Sequence, residues 1–329
     1  MQSKSLRVVR SSPRLRNSYT DLCGYLDVSV IVDGDSLSFF HIGSGRKFFK
    51  PNIDELKKAY LKLGCIHESL IDRIKIEKDY DEFASTTKGI VIPGSSIKGN
   101  VRSRIELSFK GYEGTVDSCF INAGKPLIGE LTKGTSGWRH YRIWGEVLFE
   151  DRGVPCNFTV MDEVCLVCDL FGTYGLKSLI DFSDFECVNA SIKHLDLPFG
   201  ISVQAVPAGS EFRGRIDFKN LKDYELGLLL LGMGIEGSHE GRRTILGRFK
   251  YRGTLDSFKF GKVRYRVNEL KLSQYSKTLS SGGIDLQPDS SAKGDLLSRL
   301  CKSLTDLTLK KFQNRFRIIN EVEILDRLL

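Results

Sequence analysis

The densest run of groups suited to chemistry is Val91-Ile92-Pro93-Gly94-Ser95-Ser96-Ile97-Lys98-Gly99-Asn100-Val101-Arg102. Pro-Gly turns the chain, and Ser95 or Ser96 is placed to cap a helix beginning near Ser96. Ile97, Val101, Ile105 and Phe109 recur every four residues as its buried stripe. Lys98 and Arg102, also four apart, share a neighbouring face. Free N–H groups, serine hydroxyls and two cations at one helix end make a phosphate cradle. The GxxxxGK[ST] spacing of a P-loop is absent. Two glycine clusters accompany this run: His41-Ile42-Gly43-Ser44-Gly45, a tight turn, and Gly232, Gly234, Gly237, Gly241 and Gly247 with Arg242 and Arg243 among them. Such glycines let backbone approach a ligand closely. The second cluster follows a helical stretch and leads into a strand, so it is not a dinucleotide fingerprint.

Cys165-Leu166-Val167-Cys168 is a CxxC, with Cys156 upstream and His140 and Cys119 further back. Two thiolates at that spacing hold one side of a tetrahedral zinc, and Cys156 and His140 are candidates to complete it. The competing reading is a set of buried free cysteines beside a Phe-Gly turn. No Ser/His/Asp arrangement or carboxylate pair has the spacing of an evident active site. Acids cluster before the Pro-Gly turn at Glu77, Asp79, Asp81 and Glu82, in what reads as a solvated loop.

The elements that must position these groups belong to a 329-residue chain with 49 Lys+Arg against 41 Asp+Glu, a net charge of +8. Its longest apolar run, Leu226 to Ile235, is too short to cross a bilayer, which excludes a membrane-spanning protein. The basic N-terminus lacks a signal peptide's apolar core, so a cytoplasmic location is expected. The charge is concentrated. From Arg242 to Arg266 the cations Arg242, Arg243, Arg248, Lys250, Arg252, Lys259, Lys262, Arg264 and Arg266 meet one acid, Asp256. Phe249, Tyr251, Phe258, Phe260 and Tyr265 are interleaved. Cations that bind phosphate and rings that stack on bases suit single-stranded nucleic acid. A hairpin with buried rings and solvated cations is the plainer alternative.

Alternation predicts strands near 24–31, 36–42, 90–92, 178–185, 201–206 and 211–218, and helices near 53–63 and 222–233. Residues 1–21 read as a basic tail, unstructured or fastened to an acidic partner or RNA. Residues 46–88 and 111–160 read as insertions, and the Ser- and Gly-rich 271–294 as a flexible linker. Residues 295–329 read as a C-terminal helical segment with one apolar face, carried by Leu296, Leu300, Leu304 and Leu307.

Together these motifs resemble the RAMP superfamily, the RNA-binding proteins of type III CRISPR effector complexes. His41 to Gly45 resembles the family's first glycine turn, and Ile92 to Gly99 with Arg102 its Pro-Gly-Ser-Ser helix entry. Cys165 to Gly172 resembles the CxxCxxFG segment of the backbone subunits. Val206 to Phe212 and residues 232–247 resemble the closing strand and loop. The resemblance implies an α+β, RRM-like (ferredoxin-like) core over residues 22–270, with large insertions and the C-terminal helical appendage. It implies that CRISPR RNA is held by His41, Gly43, Ser95, Ser96, Lys98, Arg102, Gly241, Arg242 and Arg243, in a filament of related subunits facing target RNA. It also implies a structural zinc at the CxxC. Members that cut target RNA use a loop aspartate with a divalent metal such as Mg²⁺; here Asp79 and Asp81 lie nearest the expected distance, beyond the long insertion. A guide-maturing ribonuclease, with His41 as base, is the third reading.

Overall fold

The computed structural model describes residues 4–65, 76–121 and 131–329. Its strands and helices are mixed along the chain in an α+β arrangement. The strands of the main sheet are β1 (Leu22–Val32), a segment that also feeds β2 (Ser38–Phe40), β3 (Gly43–Pro51) and β4 (Ile76–Phe83) of a second sheet, and β5 (Gly89–Ile92). Later come β6 (Phe185–Asn189), β7 (Ile201–Pro207), β8 (Glu211–Leu221), β9 (Glu240–Ile245) and β10 (Lys262–Leu272). The main sheet runs β9-β10-β1-β8-β6-β5, with every neighbouring pair antiparallel.

Alternation decides which way this sheet faces. Leu26, Val28, Val30 and Val32 of β1 are buried with Phe212 and Ile216 of β8 and Val263, Tyr265 and Val267 of β10. The opposite face carries Asp27, Arg213, Arg215, Arg264 and Arg266, laced by ion pairs such as Arg213–Asp27 at 2.6 Å and Arg266–Glu211 at 2.8 Å. A helical layer covers the apolar face: α2 (Gly94–Ser108), α5 (Asp223–Gly232) and α6 (Gly294–Lys311), numbered after α1 (Ile53–Leu63), α3 (Ser136–Trp144) and α4 (Leu166–Phe171). Helix α5 is apolar all round because α2 and α6 flank it above the sheet. The second sheet runs from Phe258–Phe260 through β2, β7 and β4 to β3, over a smaller core of Phe39, Val203, Ala205, Phe249 and Phe260.

Several expectations change here. From residue 4 the basic segment is an ordered strap: Leu6 and Val8 are buried, Ser11 bridges Val164, and Arg14 bonds Asp169 at 2.7 Å and also reaches Glu225. Arg14 and Arg16 answer buried acids of their own chain. Residues 271–294 are not a flexible linker; Leu279–Ser281 and Ile284–Leu286 form a hairpin, and Ser291–Ala292 pairs with β10. The insertion at 111–160 carries α3, while residues 122–130 lie outside the described residues. In 46–88 the sequence-derived helix matches α1, with Asn52 accepting from the Asp54 and Glu55 amides at 3.1 Å and Gly64 ending it. The remainder of that insertion at 66–75 lies outside the described residues. The C-terminal segment folds back on its own core: Leu297, Leu300 and Leu304 of α6 are buried, and α7 (Glu321–Leu328) adds Val322 and Leu325.

Candidate nucleic-acid interface and cysteine cluster

A cavity of about 410 Å³ opens beside the first turns of α2, between the His41–Gly45 turn and the loop after β9. Ile42, Gly43, Ser96, Gly99, Asn100 and Ser103 line one side, and Leu246, Gly247, Arg248 and Lys250 the other. Pro93 occupies the cap position without a side-chain bond, so Ser95 and Ser96 sit in the first turn and do not cap the helix. The Gly94 amide donates to Asp184 Oδ1 at 2.8 Å, which fixes the helix start against residues 182–184. A side chain at Gly99 would meet nothing within 4 Å, so its backbone is open to the cavity. Gly247 is required: its φ is +83°, and a Cβ there would lie 2.6 Å from the His41 carbonyl oxygen.

His41 forms the wall behind this turn. Its ring is fully buried, stacks near Phe249 with centroids 6.2 Å apart, and donates from Nδ1 to the Gln204 carbonyl at 2.6 Å. A carbonyl only accepts, so Nδ1 carries the proton and Nε2 is a bare acceptor. Nε2 is buried without a partner, 3.5 Å from where a Gly43 Cβ would stand. Burial pushes the ring's pKa below that of ordinary imidazole, and the Gln204 bond offsets this only in part.

Other residues assigned to RNA from the sequence lie elsewhere. Arg102 is only 5% exposed and donates to Glu106 at 2.8 Å, the Gly172 carbonyl at 2.7 Å and Cys168 Sγ at 3.2 Å. Helix α2 is covered on that side by α4 and the cysteines, so the Arg102 face is interior. Lys98 is partly buried, and burial lowers its pKa despite the nearby charge of Asp181. Ser95 is exposed and Ser96 lines the cavity. Gly241 is buried beneath Tyr265, Arg242 pairs with Glu236 and donates to the Ile319 carbonyl, and Arg243 pairs with Asp33 at 3.0 Å. The cavity takes its glycine and cations from Gly247, Arg248 and Lys250 instead, a few residues further along the same basic window.

Most cations of that window meet acids from distant segments: Arg248 with Asp81, Lys259 with Asp35 at 2.6 Å, Lys262 with Asp326 at 2.6 Å, and Arg264 with Asp33 at 2.6 Å. Among the described residues Lys250 and Arg252 have no carboxylate partner. The interleaved rings serve the core, with Phe249, Phe260 and Tyr265 buried. Burial lowers the Lys250 pKa, and the negative charge of Glu321 offsets this only in part. Asp79 and Asp81 stand on β4 rather than on a loop; Asp79 bonds Lys47 at 3.3 Å, and Asp81 reaches the cavity rim through Arg248.

The cysteines converge. The sulfurs of Cys119, Cys156, Cys165 and Cys168 all lie within 4.8 Å of one another, and all four residues are buried. Cys119 Sγ is 3.5 Å from Cys168 Sγ and 3.7 Å from Cys165 Sγ. Four sulfurs at ~2.3 Å from a tetrahedral zinc would stand roughly 3.8 Å apart, so the set fits that ion. Thiolate charge is met by Arg102 at Cys168 and by Arg10, whose Nε donates to Cys156 Sγ at 3.4 Å. The fourth member of the cluster is Cys119, and His140 is not part of it. Helix α3 turns His140 toward Tyr251, ring centroids 5.0 Å apart, where burial lowers its pKa to about 4. Cys119 was present in the sequence signal, but its separation from the CxxC gave no reason to prefer it.

A sheet with a helical layer, a glycine-lined cavity at a helix start and a cluster of four buried cysteines define an α+β protein. Residues 35–277 match the RAMP superfamily, and the chain belongs to it. Members of this superfamily are CRISPR-associated RNA-binding proteins. Comparison with curated proteins gives no match. No described helix is long and apolar enough to cross a membrane.

Proposed function

We propose that this chain is a CRISPR RNA-binding subunit of a type III antiviral effector complex in the cytoplasm, holding the guide backbone in the α2 cavity. The observation that carries this reading is the juxtaposition of open Gly99 and Gly43 backbone, Ser96 and the uncompensated Lys250 around one cavity. Phosphate oxygens accept from the serine hydroxyl, the amides of the first helical turn and the ammonium. None of these contacts reads a base, so one subunit accepts any guide sequence.

The scaffold reading rests on strand order. Taking β1, β6, β8 and β10 as successive core strands, with α2 and α5 as crossovers, their order in the sheet is fourth, first, third, second, which is the RRM-like (ferredoxin-like) βαββαβ pattern. Cys119, Cys156, Cys165 and Cys168 hold a structural zinc that ties the segment between α2 and β6 to the core. Related subunits pack alongside in a filament, and among the described residues α1 leaves Ile53, Tyr60, Leu61 and Leu63 exposed as a surface for them.

One observation favours a second role. Asp81 touches the cavity rim through Arg248, so a loosened ion pair frees a carboxylate for a divalent metal beside bound target RNA. Target-RNA cleavage by the assembled complex in Mg²⁺ separates the readings. An unchanged cleavage pattern with Asp79→Ala/Asp81→Ala supports the structural role. Loss of one specific cut, with guide assembly intact, makes this the endonuclease subunit.

A further inference from the structure

At the other end of the main sheet lies a second cavity, also about 410 Å³, that the guide-binding reading does not use. Its floor is the polar face of the sheet at Tyr25, Arg215 and Asp217, and the N-terminal strap walls it with Arg16 and Tyr19. The eight steps from Gly24 to Val32 at ~3.3 Å each put it roughly 26 Å from the guide-cavity end of β1.

The charges here are of two kinds. Arg16, Arg215 and Lys271 are bonded to Asp169, Asp217 and Asp289. Lys177 and Lys219 have no carboxylate partner among the described residues. Lys177 is exposed, and Lys219 Nζ donates to the Arg16 carbonyl at 2.8 Å while lying 4.2 Å from the Tyr19 ring centroid. Tyr19 is 54% exposed and stacks on Tyr275, itself 60% exposed, with centroids 5.2 Å apart. Arg215 lies over Tyr25, 4.0 Å from its centroid. Tyr19, its ring half exposed, and two ammonium groups without a carboxylate partner in one cavity form a recognition set for a planar base carrying a phosphate.

We propose that this cavity is a nucleotide-binding site separate from the guide cavity, with the base stacked on Tyr19 and the phosphate on Lys177 and Lys219. The ligand is either a free nucleotide or one unpaired nucleotide of an RNA strand. The strap builds this site, since it supplies Tyr19 and the carbonyl that positions Lys219.

The test uses the whole chain with two probes: AMP by calorimetry, and fluorescently labelled hexauridylate by anisotropy in a Lys250→Ala background, which weakens the guide cavity. Tyr19→Ala is expected to weaken at least one probe by about fivefold or more, the range of a lost base–aromatic stack. Tyr19→Phe retains binding and Lys177→Glu weakens it; because Lys177 is exposed, that variant leaves the fold intact. Binding of AMP identifies a free-nucleotide site, and binding of hexauridylate alone identifies an RNA-strand site. If neither probe binds, or both bind within twofold of the parent after Tyr19→Ala and Lys177→Glu, the proposal is overturned. Loss of guide binding in Lys250→Ala with these effects intact separates failure of one site from failure of the other.

Discussion

Glu321→Ala is predicted to be among the most destabilising single substitutions in the chain. Glu321 Oε1 accepts from Arg104 Nη2 at 2.8 Å, from Arg104 Nε at 3.2 Å and from the Ile245 amide at 2.7 Å. Both side chains are 3% exposed. Truncation leaves Arg104 charged in the interior with only neutral acceptors, the Gly232 carbonyl at 2.5 Å and Asn100 Oδ1 at 3.0 Å. Breaking a buried pair in this way costs about 3–5 kcal/mol. At roughly 2–4 °C per kcal/mol, the figure for large domains, Tm should fall by about 6–20 °C. Glu321→Gln keeps an acceptor oxygen for the Ile245 amide and should lose less. Replacing both partners with apolar side chains, Arg104→Met/Glu321→Leu, should recover part of the loss, since no unpaired charge remains. Thermal unfolding by circular dichroism of the four proteins measures this. A Tm change below about 2 °C for Glu321→Ala, or a double variant no more stable than Glu321→Ala, would refute the reasoning.

Three further outcomes are expected. Cys119→Ser should lower bound zinc and destabilise the fold, whereas His140→Ala should leave zinc stoichiometry unchanged; metal analysis of purified protein distinguishes them. Gly247→Ala forces an L side chain into positive φ against the His41 carbonyl, and a loss of about 1–3 kcal/mol is expected in denaturant unfolding. Burial lowers the folded pKa of both His41 and His140, the latter to about 4, so the unfolded chain binds more protons in mild acid. Their contribution to stability is therefore present above about pH 6.5 and declines as pH falls from there toward 4; His140→Phe should flatten the decline of Tm across that window.

Local signals were readable and long-range ones were not. Helix α1 follows from Asn52, the spacing of Ile53, Leu56, Tyr60 and Leu63, and Gly64, all of which act within the segment. The strands that pair as β1, β8 and β10 alternate because one face is buried and the other solvated. Arg102 shows where such reasoning ends. Spacing placed it beside Lys98, but only the fold shows that Cys168 and Gly172 cover it. The strap presents the same problem, since a run of arginines reads as a free tail until Asp169 and Glu225 arrive from far along the chain. Cys119 and His140 were equally eligible by type, and the choice between them is made by tertiary placement. The 271–294 segment carried its own correction: Gly282-Gly283, both with positive φ, is a two-residue hairpin turn that a reading by composition passes over.

The central claim is that the α2 cavity holds an RNA backbone without reading sequence, and guide binding as a function of salt tests it most directly. The full-length protein should bind unrelated single-stranded RNAs with similar affinity, log K falling linearly with log salt. Lys250→Ala should weaken every sequence alike and reduce the slope by about 0.7, the value of one lost contact to a single-strand phosphate. Ser96→Glu, which places a carboxylate in the cavity, should weaken binding further. Affinity that is insensitive to salt, or unchanged in both variants, would contradict the account and move the RNA site elsewhere on the molecule.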